Sequence, residues 1–251
     1  MLRKELRHAR RSGRESREAF FASIRFWSIV FFVLALLYGG WIGSQKVLTI
    51  IKTPGRFPIK TIVIEGNLSH VSAENIQSLV QKELTGNFFT LNTSIAHQQI
   101  LSMPWVAAVS FRREWPSTVS VHITEQIPIA QWGSNGLMNA EGKIFYPDIN
   151  SIPANLPVFI GQSEQAKTMI DFYRTVSLLS TLLNLTVTQE TLSARASWTL
   201  QFNNNMTVTL GRDQALSRFK RFVALYPKLI QADTQPITSI DLRYPNGFSV
   251  K

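Results

Sequence analysis

The side chains that carry most enzyme chemistry are present in this sequence but scattered. No two of the four histidines have the i, i+4 or His-x-His spacing of a metal site: His8, His70, His97 and His122. No serine lies in a G-x-S-x-G motif, and no glycine-rich loop precedes a helix as in a nucleotide site. The chain has no cysteine, which excludes thiol catalysis, zinc ribbons and disulfides. We therefore predict no catalytic, metal-binding or cofactor-binding residues.

A pair of carboxylates is the one catalytic arrangement that the sequence leaves open. Glycosidic hydrolysis needs only two acids about 5 to 9.5 Å apart. Five acids could supply such a pair: Glu65, Glu125, Glu141, Asp148 and Asp241. Each is also explained by a strand end or a turn. A membrane-anchored periplasmic cell-wall hydrolase is therefore the alternative to a protein that binds other proteins, has no small-molecule substrate and is not an enzyme.

A long uncharged segment near the N-terminus predicts a single transmembrane helix at 26–46. The run from Phe26 to Gln45, FWSIVFFVLALLYGGWIGSQ, is long enough at about 1.5 Å per residue to cross about 30 Å of hydrocarbon. A cleaved signal peptide is the alternative, because the small residues Gly39, Gly40 and Gly43 could be a peptidase target. They form only a poor cleavage site. Such a peptide usually has an apolar core of only about 7 to 15 residues.

Basic residues are concentrated before this helix and set its direction. Eight of them precede Phe26 against three acidic residues, whereas Lys46, Lys52 and Arg56 follow the span. The positive-inside rule therefore places the basic tail, 1–25, in the cytoplasm and the rest of the chain in the periplasm. The tail contributes much of the net charge of +10, so we expect it to contact the lipid bilayer and expect no nucleic-acid partner.

The segment 57–126, which follows a linker at 47–56, predicts a small domain with the order β-α-α-β-β. A β-rich run ends at Glu65 before a Gly-Asn turn, and Ser72 can cap a helix that runs to about Leu84. Asn92 can cap a second, shorter helix that ends before Pro104. Two alternating strands follow, at 106–113 and 118–125. Two helices covering one face of a small sheet give a single core.

The segment 127–251 predicts a second domain of short strands and two helices. We expect strands at 129–132, 137–138, 143–146, 158–161, 198–202, 206–210 and 237–244. Apolar periodicity predicts helices at about 164–183 and from Asp213 to about Pro227. The predicted fold class is α+β, with one transmembrane helix, a β-α-α-β-β domain and an α+β domain that contains an extended antiparallel sheet.

Several motifs give the sequence a family resemblance. The stretches FPIKTIVIEGN, MPWV and REWPSTVSVHITEQIPIAQW resemble the POTRA domain of the FtsQ/DivIB family of bacterial cell-division proteins. The stretches LMNAEGKIFYP, LSARASWTLQF, LGRDQALSRFKRFVALYP and SIDLRYPNGFSV extend the resemblance to the end of the sequence. It implies an inner-membrane divisome scaffold, concentrated at the septum, that binds the FtsB–FtsL complex and contacts other divisome proteins through its POTRA domain and membrane helix.

The last predicted strand is the candidate binding surface, because an unpaired edge can accept a partner's strand. There Arg243 could bind a partner carboxylate and Tyr244 could serve as an aromatic anchor, although alternation with Ile240 and Leu242 would equally let Tyr244 end the core. The resemblance implies roles in binding FtsB for Arg195, on a Ser-Ala-Arg strand, and for Arg243, Tyr244 and Gly247. The full predicted surface is Arg195, Ser239, Asp241, Arg243, Tyr244, Asn246, Gly247 and Phe248.

The end of this surface departs from the family pattern. Pro245 lacks an N–H group, and relatives continue beyond the position of Lys251. A tight turn at 245–247 would return Phe248 and Val250 alongside the edge, where they would either extend the binding surface or cover it.

Overall fold

The structure, a computed structural model, describes residues 27–28, 30–53, 55–232, 236–244 and 247–251. Among these residues one helix, α1 (Val30–Lys52), is long and apolar enough to cross a membrane. The predicted basic tail and the predicted first residue of the span, Phe26, lie outside the described residues. The helix continues past Gln45 into the segment that we expected to be a linker. Two threonine hydroxyls support this extension by bonding carbonyls one turn earlier, at 2.8 and 2.7 Å.

The first domain has the predicted order of elements. It consists of β1 (Thr61–Glu65), α2 (Ala73–Glu83), α3 (Ser94–Leu101), β2 (Val106–Glu114) and β3 (Thr118–Glu125). The sheet order is β1-β3-β2, so the last strand lies in the middle. Helix and strand side chains form the core: Ile76, Val80, Ala96, Ile100, Val121 and Ile123. The β-α-α-β-β prediction is confirmed.

The two helices of this domain begin in different ways. Ser72 caps α2 as predicted, because its hydroxyl accepts a hydrogen bond of 3.2 Å from the Asn75 amide. The predicted cap of α3 is wrong. Asn92 instead forms a backbone bridge to Thr85, with its amide 3.1 Å from the Thr85 carbonyl, and the helix begins only at Ser94.

The turn after β1 depends on a glycine. Gly66 has φ +141°, and a Cβ atom there would lie 2.3 Å from the Ile123 carbonyl oxygen of β3. We therefore expect Gly66→Ala to lower the free energy of unfolding by about 3 kcal/mol, from overpacking and backbone strain together. Urea unfolding of the full chain in detergent micelles measures this. Gly133→Ala is the matched control, because Gly133 also has a positive φ but an added Cβ would meet nothing within 4 Å. Equal losses from the two variants would contradict the proposed clash.

The second domain is built on one large sheet. Within the described residues it contains nine strands, in the order β12-β11-β10-β9-β8-β7-β4-β5-β6. The strands are β4 (Pro128–Trp132), β5 (Gly136–Asn139), β6 (Ile144–Phe145), β7 (Val158–Ile160), β8 (Val187–Leu192), β9 (Trp198–Phe202), β10 (Thr207–Gly211), β11 (Ser239–Asp241) and β12 (Ser249–Val250). The helices are α4 (Ala166–Thr181) and α5 (Ala215–Ala232). The α+β class with an extended sheet is confirmed.

The sheet is mixed, although we expected it to be antiparallel. Strand β7 pairs in parallel with β4 and β8, and β10 pairs in parallel with β11. Two of these pairs follow from the helices, because α4 connects β7 to β8 and α5 connects β10 to β11, and a helical crossover returns the chain in its original direction. Helix α5 also continues through Pro227, where we predicted its end.

Strand β8 lies near the middle of the sheet and was not predicted. Its sequence, VTQETL, places Gln189 next to Glu190 and therefore lacks the alternation of a half-buried strand. The side chain of Glu190 is nevertheless fully buried. Helix α4 contacts β8 and helix α5 contacts β10, so both helices close the core on the sheet.

A tryptophan between α3 and β2 packs against the large sheet. Trp105 is buried with Leu137 and Phe145, and its ring nitrogen donates a 3.1 Å hydrogen bond to the Ser151 hydroxyl. The His70 ring stacks on its other side, with ring centroids 3.6 Å apart. These contacts lie within one compact unit, which comprises 62–83, 93–112 and 120–251 of the described chain.

Candidate partner-binding edge

Strand β12 forms one edge of the large sheet. It pairs antiparallel with β11, with Val250 opposite Ile240 and Ser249 opposite Asp241. The prediction that 238–244 is the edge strand is therefore wrong in two respects: β11 ends at Asp241, and β12 lies outside it. The returning segment covers β11 and at the same time extends the sheet by one strand.

A local hydrogen bond explains why β11 ends early. The Asp241 carboxylate accepts a 3.0 Å hydrogen bond from the backbone amide of Arg243. Such a side-chain bond competes with the sheet for backbone groups and turns the chain away. Leu242 still donates its amide to the Thr209 carbonyl of β10, at 2.8 Å.

The outward-facing backbone groups of β12 follow from its pairing. Ser239 and Lys251 exchange both backbone hydrogen bonds, each 3.0 Å long. In an antiparallel ladder such pairs alternate with pairs whose N–H and C=O groups point away from each other. The amide and carbonyl of Val250 therefore point away from β11. Within the described residues no strand lies beyond β12, so a partner strand could bond to these groups.

Arg243 and Asp241 form an exposed ion pair beside this edge. The arginine side chain donates from Nε to both carboxylate oxygens at 3.0 Å and from Nη2 to Oδ2 at 2.6 Å. These hydrogen bonds lower the pKa of Asp241 below its usual value. The arginine is thus held in one orientation, and a partner carboxylate would have to share it with Asp241.

Two aromatic side chains lie exposed between β11 and β12. Tyr244 is 55% exposed and Phe248 is 37% exposed. Ile240 and Leu242, by contrast, are buried. The alternative in which Tyr244 ends the core is therefore wrong, and its ring is accessible to a partner.

Arg195 lies in a turn, where we predicted a strand. The turn connects β8 to β9 and has Ala196 in the left-handed region, with φ 58°. It nevertheless lies at the same end of the sheet as Arg243, since Trp198 pairs with Gly211 and the Arg243 side chain passes over Gly211. A Cβ atom on Gly211 would lie 3.0 Å from Arg243 Cγ.

The other predicted surface residues are distributed along the edge. Ser239 lies at the opposite end of β11 from Asp241, and its backbone groups are already bonded to Lys251. Gly247 and Phe248 lead directly into β12. Asn246 lies outside the described residues.

The carboxylates that could have served a hydrolase either accept hydrogen bonds within the fold or are exposed to solvent. Glu125 accepts backbone hydrogen bonds from residues 69, 70 and 71, and these bonds contribute to a lowered pKa. Asp148 caps a short 3₁₀ helix. Glu65 and Glu141 are exposed. Among the described residues, no cluster of three histidine or acidic side chains could hold a metal ion.

Glu190 is the one carboxyl of the described chain with a strongly raised pKa. Burial raises the pKa of Glu190 to about 9, so the group is protonated at neutral pH. Neither carboxyl oxygen has a hydrogen-bond partner among the described residues. Its strand neighbours are the buried Phe159 and Leu200, and the pKa of Tyr173 is raised by burial and by the nearby Glu190. Such a group could donate a proton, and its side chain is fully enclosed.

A helix able to cross a membrane, a β-α-α-β-β domain and a mixed sheet with an open edge define a class: membrane-anchored POTRA proteins. Comparison with known families narrows this class. Residues 57–126 match the model of the FtsQ-type POTRA domain, and residues 130–243 match that of the C-terminal part of the cell division protein FtsQ/DivIB. The chain belongs to the FtsQ/DivIB family.

Individual relatives agree with this assignment. The Cell division protein FtsQ of Coxiella burnetii is 33% identical over 219 residues, which cover 87% of this chain and 89% of the relative. That of Burkholderia pseudomallei is 35% identical, covering 78% and 80%. That of Escherichia coli K12 is 31% identical, covering 88% and 82%. The family supports a role in cell division that depends on protein–protein interactions.

Proposed function

We propose that this chain is a divisome scaffold that captures the FtsB–FtsL complex by strand addition to β12. The observation that carries the proposal is the free outward face of β12, where the amide and carbonyl of Val250 point away from β11. An added strand would form backbone hydrogen bonds there. The exposed rings of Tyr244 and Phe248, which precede β12 in the chain, would supply apolar contact.

The same proposal includes location and topology. The helix α1 spans the inner membrane, with the N-terminus in the cytoplasm and both folded domains in the periplasm at the septum. The excess of basic residues before the span supports this direction. In this scheme the POTRA domain and α1 contact other divisome proteins, and the chain contributes binding rather than catalysis.

Arg243 is the charged residue of the proposed surface that is best placed to select a partner. Its side chain is 60% exposed beside the edge strand, and it is oriented by Asp241. We expect the charge reversal Arg243→Glu to weaken binding of the FtsB–FtsL complex about 30-fold, because it places two carboxylates together where a partner acid would bind. Titration of the complex onto the full chain in detergent micelles measures the affinity.

Lys167→Glu is the matched control for this experiment. Lys167 also forms an exposed ion pair with an aspartate, at 2.9 Å from Asp171, but it lies on α4. The control should bind the complex like the wild-type chain. Wild-type affinity in Arg243→Glu as well would reject the proposed role of this arginine.

A further inference from the structure

The segment that connects β11 to β12 is held by an arginine that the predicted surface did not include. Arg221 lies in the middle of α5, and its Nη2 atom donates hydrogen bonds to three carbonyl oxygens in the described part of this connection. The acceptors are Tyr244 at 3.1 Å, Leu242 at 3.3 Å and Gly247 at 3.4 Å. One cationic nitrogen thus links the residue that follows β11 to a residue that precedes β12.

These three hydrogen bonds hold the chain before β12 in position, which the pairing of β12 alone would not do. The paired part of β12 is two residues long, and so short a strand has little stability of its own. Carbonyl oxygens that converge on one point repel each other unless a cation lies between them. Arginine suits this position, because its planar group presents several N–H donors in a fixed geometry.

We infer that Arg221 is a positioning residue for partner binding: it fixes the connection between β11 and β12 so that the outward groups of Val250 and the ring of Tyr244 are presented together. The effect on partner binding rests on the proposed function, whereas the contacts of Arg221 with the connection do not. The arginine acts through the backbone carbonyls of Leu242, Tyr244 and Gly247, and the partner need not touch it.

Amide hydrogen exchange of the full chain in detergent micelles, without any partner, tests the geometry first. The reporters are the backbone bonds between β11 and β12, namely the Ser239 amide to Lys251 and the Lys251 amide to Ser239. We expect Arg221→Met to speed exchange at both amides about tenfold or more, since hydrogen bonds to charged groups are among the stronger ones. Exchange in β8 and β9 should not change. Arg221→Lys, which keeps the charge but loses the planar group, should give an intermediate rate.

Titration of the FtsB–FtsL complex tests the consequence. Arg221→Met should bind about tenfold more weakly, while the exposed Lys220 of the same helix provides the control Lys220→Met, which should bind like the wild type. Unchanged exchange at Ser239 and Lys251 in Arg221→Met overturns the inference, and so does faster exchange with unchanged affinity. If the wild-type chain itself fails to bind the complex, the proposed function fails, whereas the exchange rates still decide whether Arg221 holds the edge.

Discussion

Replacing Glu190 with leucine is expected to stabilise the chain, by about 5 kcal/mol at pH 7.5. The wild-type carboxyl is fully buried in β8 with no hydrogen-bond partner for either oxygen among the described residues. Burying such a polar group costs about 1 to 3 kcal/mol even when it is neutral. Keeping the carboxyl protonated adds to this cost when the pH is above the pKa that Glu190 has in the unfolded chain. Leucine has neither penalty and fits the apolar surroundings of Phe159 and Leu200.

The pH dependence of stability distinguishes the cost of burying the neutral carboxyl from the cost of keeping it protonated. The pKa of Glu190 rises on folding from its ordinary value of 4.5 to about 9, so between these values the native state holds a proton that the unfolded state has lost. The cost of keeping the buried group protonated is therefore absent below about pH 4.5, and it lowers the free energy of unfolding by about 1.4 kcal/mol per pH unit as the pH rises toward 9. The pKa of Tyr173, the titratable side chain coupled to it, is raised above its ordinary value, so Tyr173 stays neutral in this window.

Urea unfolding of the full chain in micelles at pH 5.5, 7.0 and 8.5 would measure this effect. The wild-type chain should lose stability across the series, whereas Glu190→Leu and Glu190→Gln should both lack the contribution of this group. The glutamine variant keeps a buried polar group, so it should be less stable than the leucine variant at every pH. Glu141→Leu is the control at an exposed carboxylate. A pH slope in Glu190→Leu equal to that of the wild type would show that this carboxyl does not titrate as the structure indicates.

Val250→Pro is expected to have the largest effect on partner binding. Proline has no N–H group, and at this position the missing group is the one that points away from β11. The bonds that Lys251 exchanges with Ser239 do not involve the Val250 amide, and proline is tolerated in edge strands whose N–H faces outward. The variant should therefore fold but block an added strand. We expect at least about 30-fold weaker binding of the FtsB–FtsL complex.

The control for this variant is Val250→Ala, which shortens the side chain but keeps the amide. It should retain most of the affinity if the partner is bound through the backbone. Equal losses in the two variants would indicate that the partner recognises the valine side chain instead. Full affinity in Val250→Pro would exclude strand addition at this position.

Local sequence signals correctly predicted the elements that are defined by their own caps and apolar spacing. The cap at Ser72 and the spacing of Ile76 and Val80 define α2 with no information from elsewhere. The alternation in β3 likewise predicted a strand at 118–125, where the structure has one. Where neighbouring elements decide the outcome, the predictions were less accurate. The adjacent polar residues Gln189 and Glu190 interrupt the alternating pattern, so the sequence did not predict β8. The strand forms nevertheless, because it pairs with a strand on each side.

The binding edge shows the same limit. Alternation of Ile240, Leu242 and Tyr244 predicts one strand through all three, but the Asp241 side chain captures the Arg243 amide and ends the strand first. The turn residues at 245–247 did predict the return of Phe248 and Val250 alongside the edge, and Val250 pairs with Ile240. The contacts of Arg221, by contrast, join residues 21 to 26 positions apart, which no local pattern connects. The resemblance nevertheless selected Arg195, Arg243 and Tyr244, and the structure places the two arginines at one end of the sheet.

The amide of Val250 provides the most direct measurement of the central claim. It points away from β11, so in the free chain it should exchange rapidly with solvent, in contrast to the bonded amide of Lys251. Hydrogen exchange of the full chain in lipid nanodiscs, with and without the FtsB–FtsL complex, would follow it directly. If the complex adds a strand to β12, Val250 becomes protected when the complex binds. Binding that leaves Val250 exchanging at its free rate, with new protection elsewhere, would contradict strand addition at this edge.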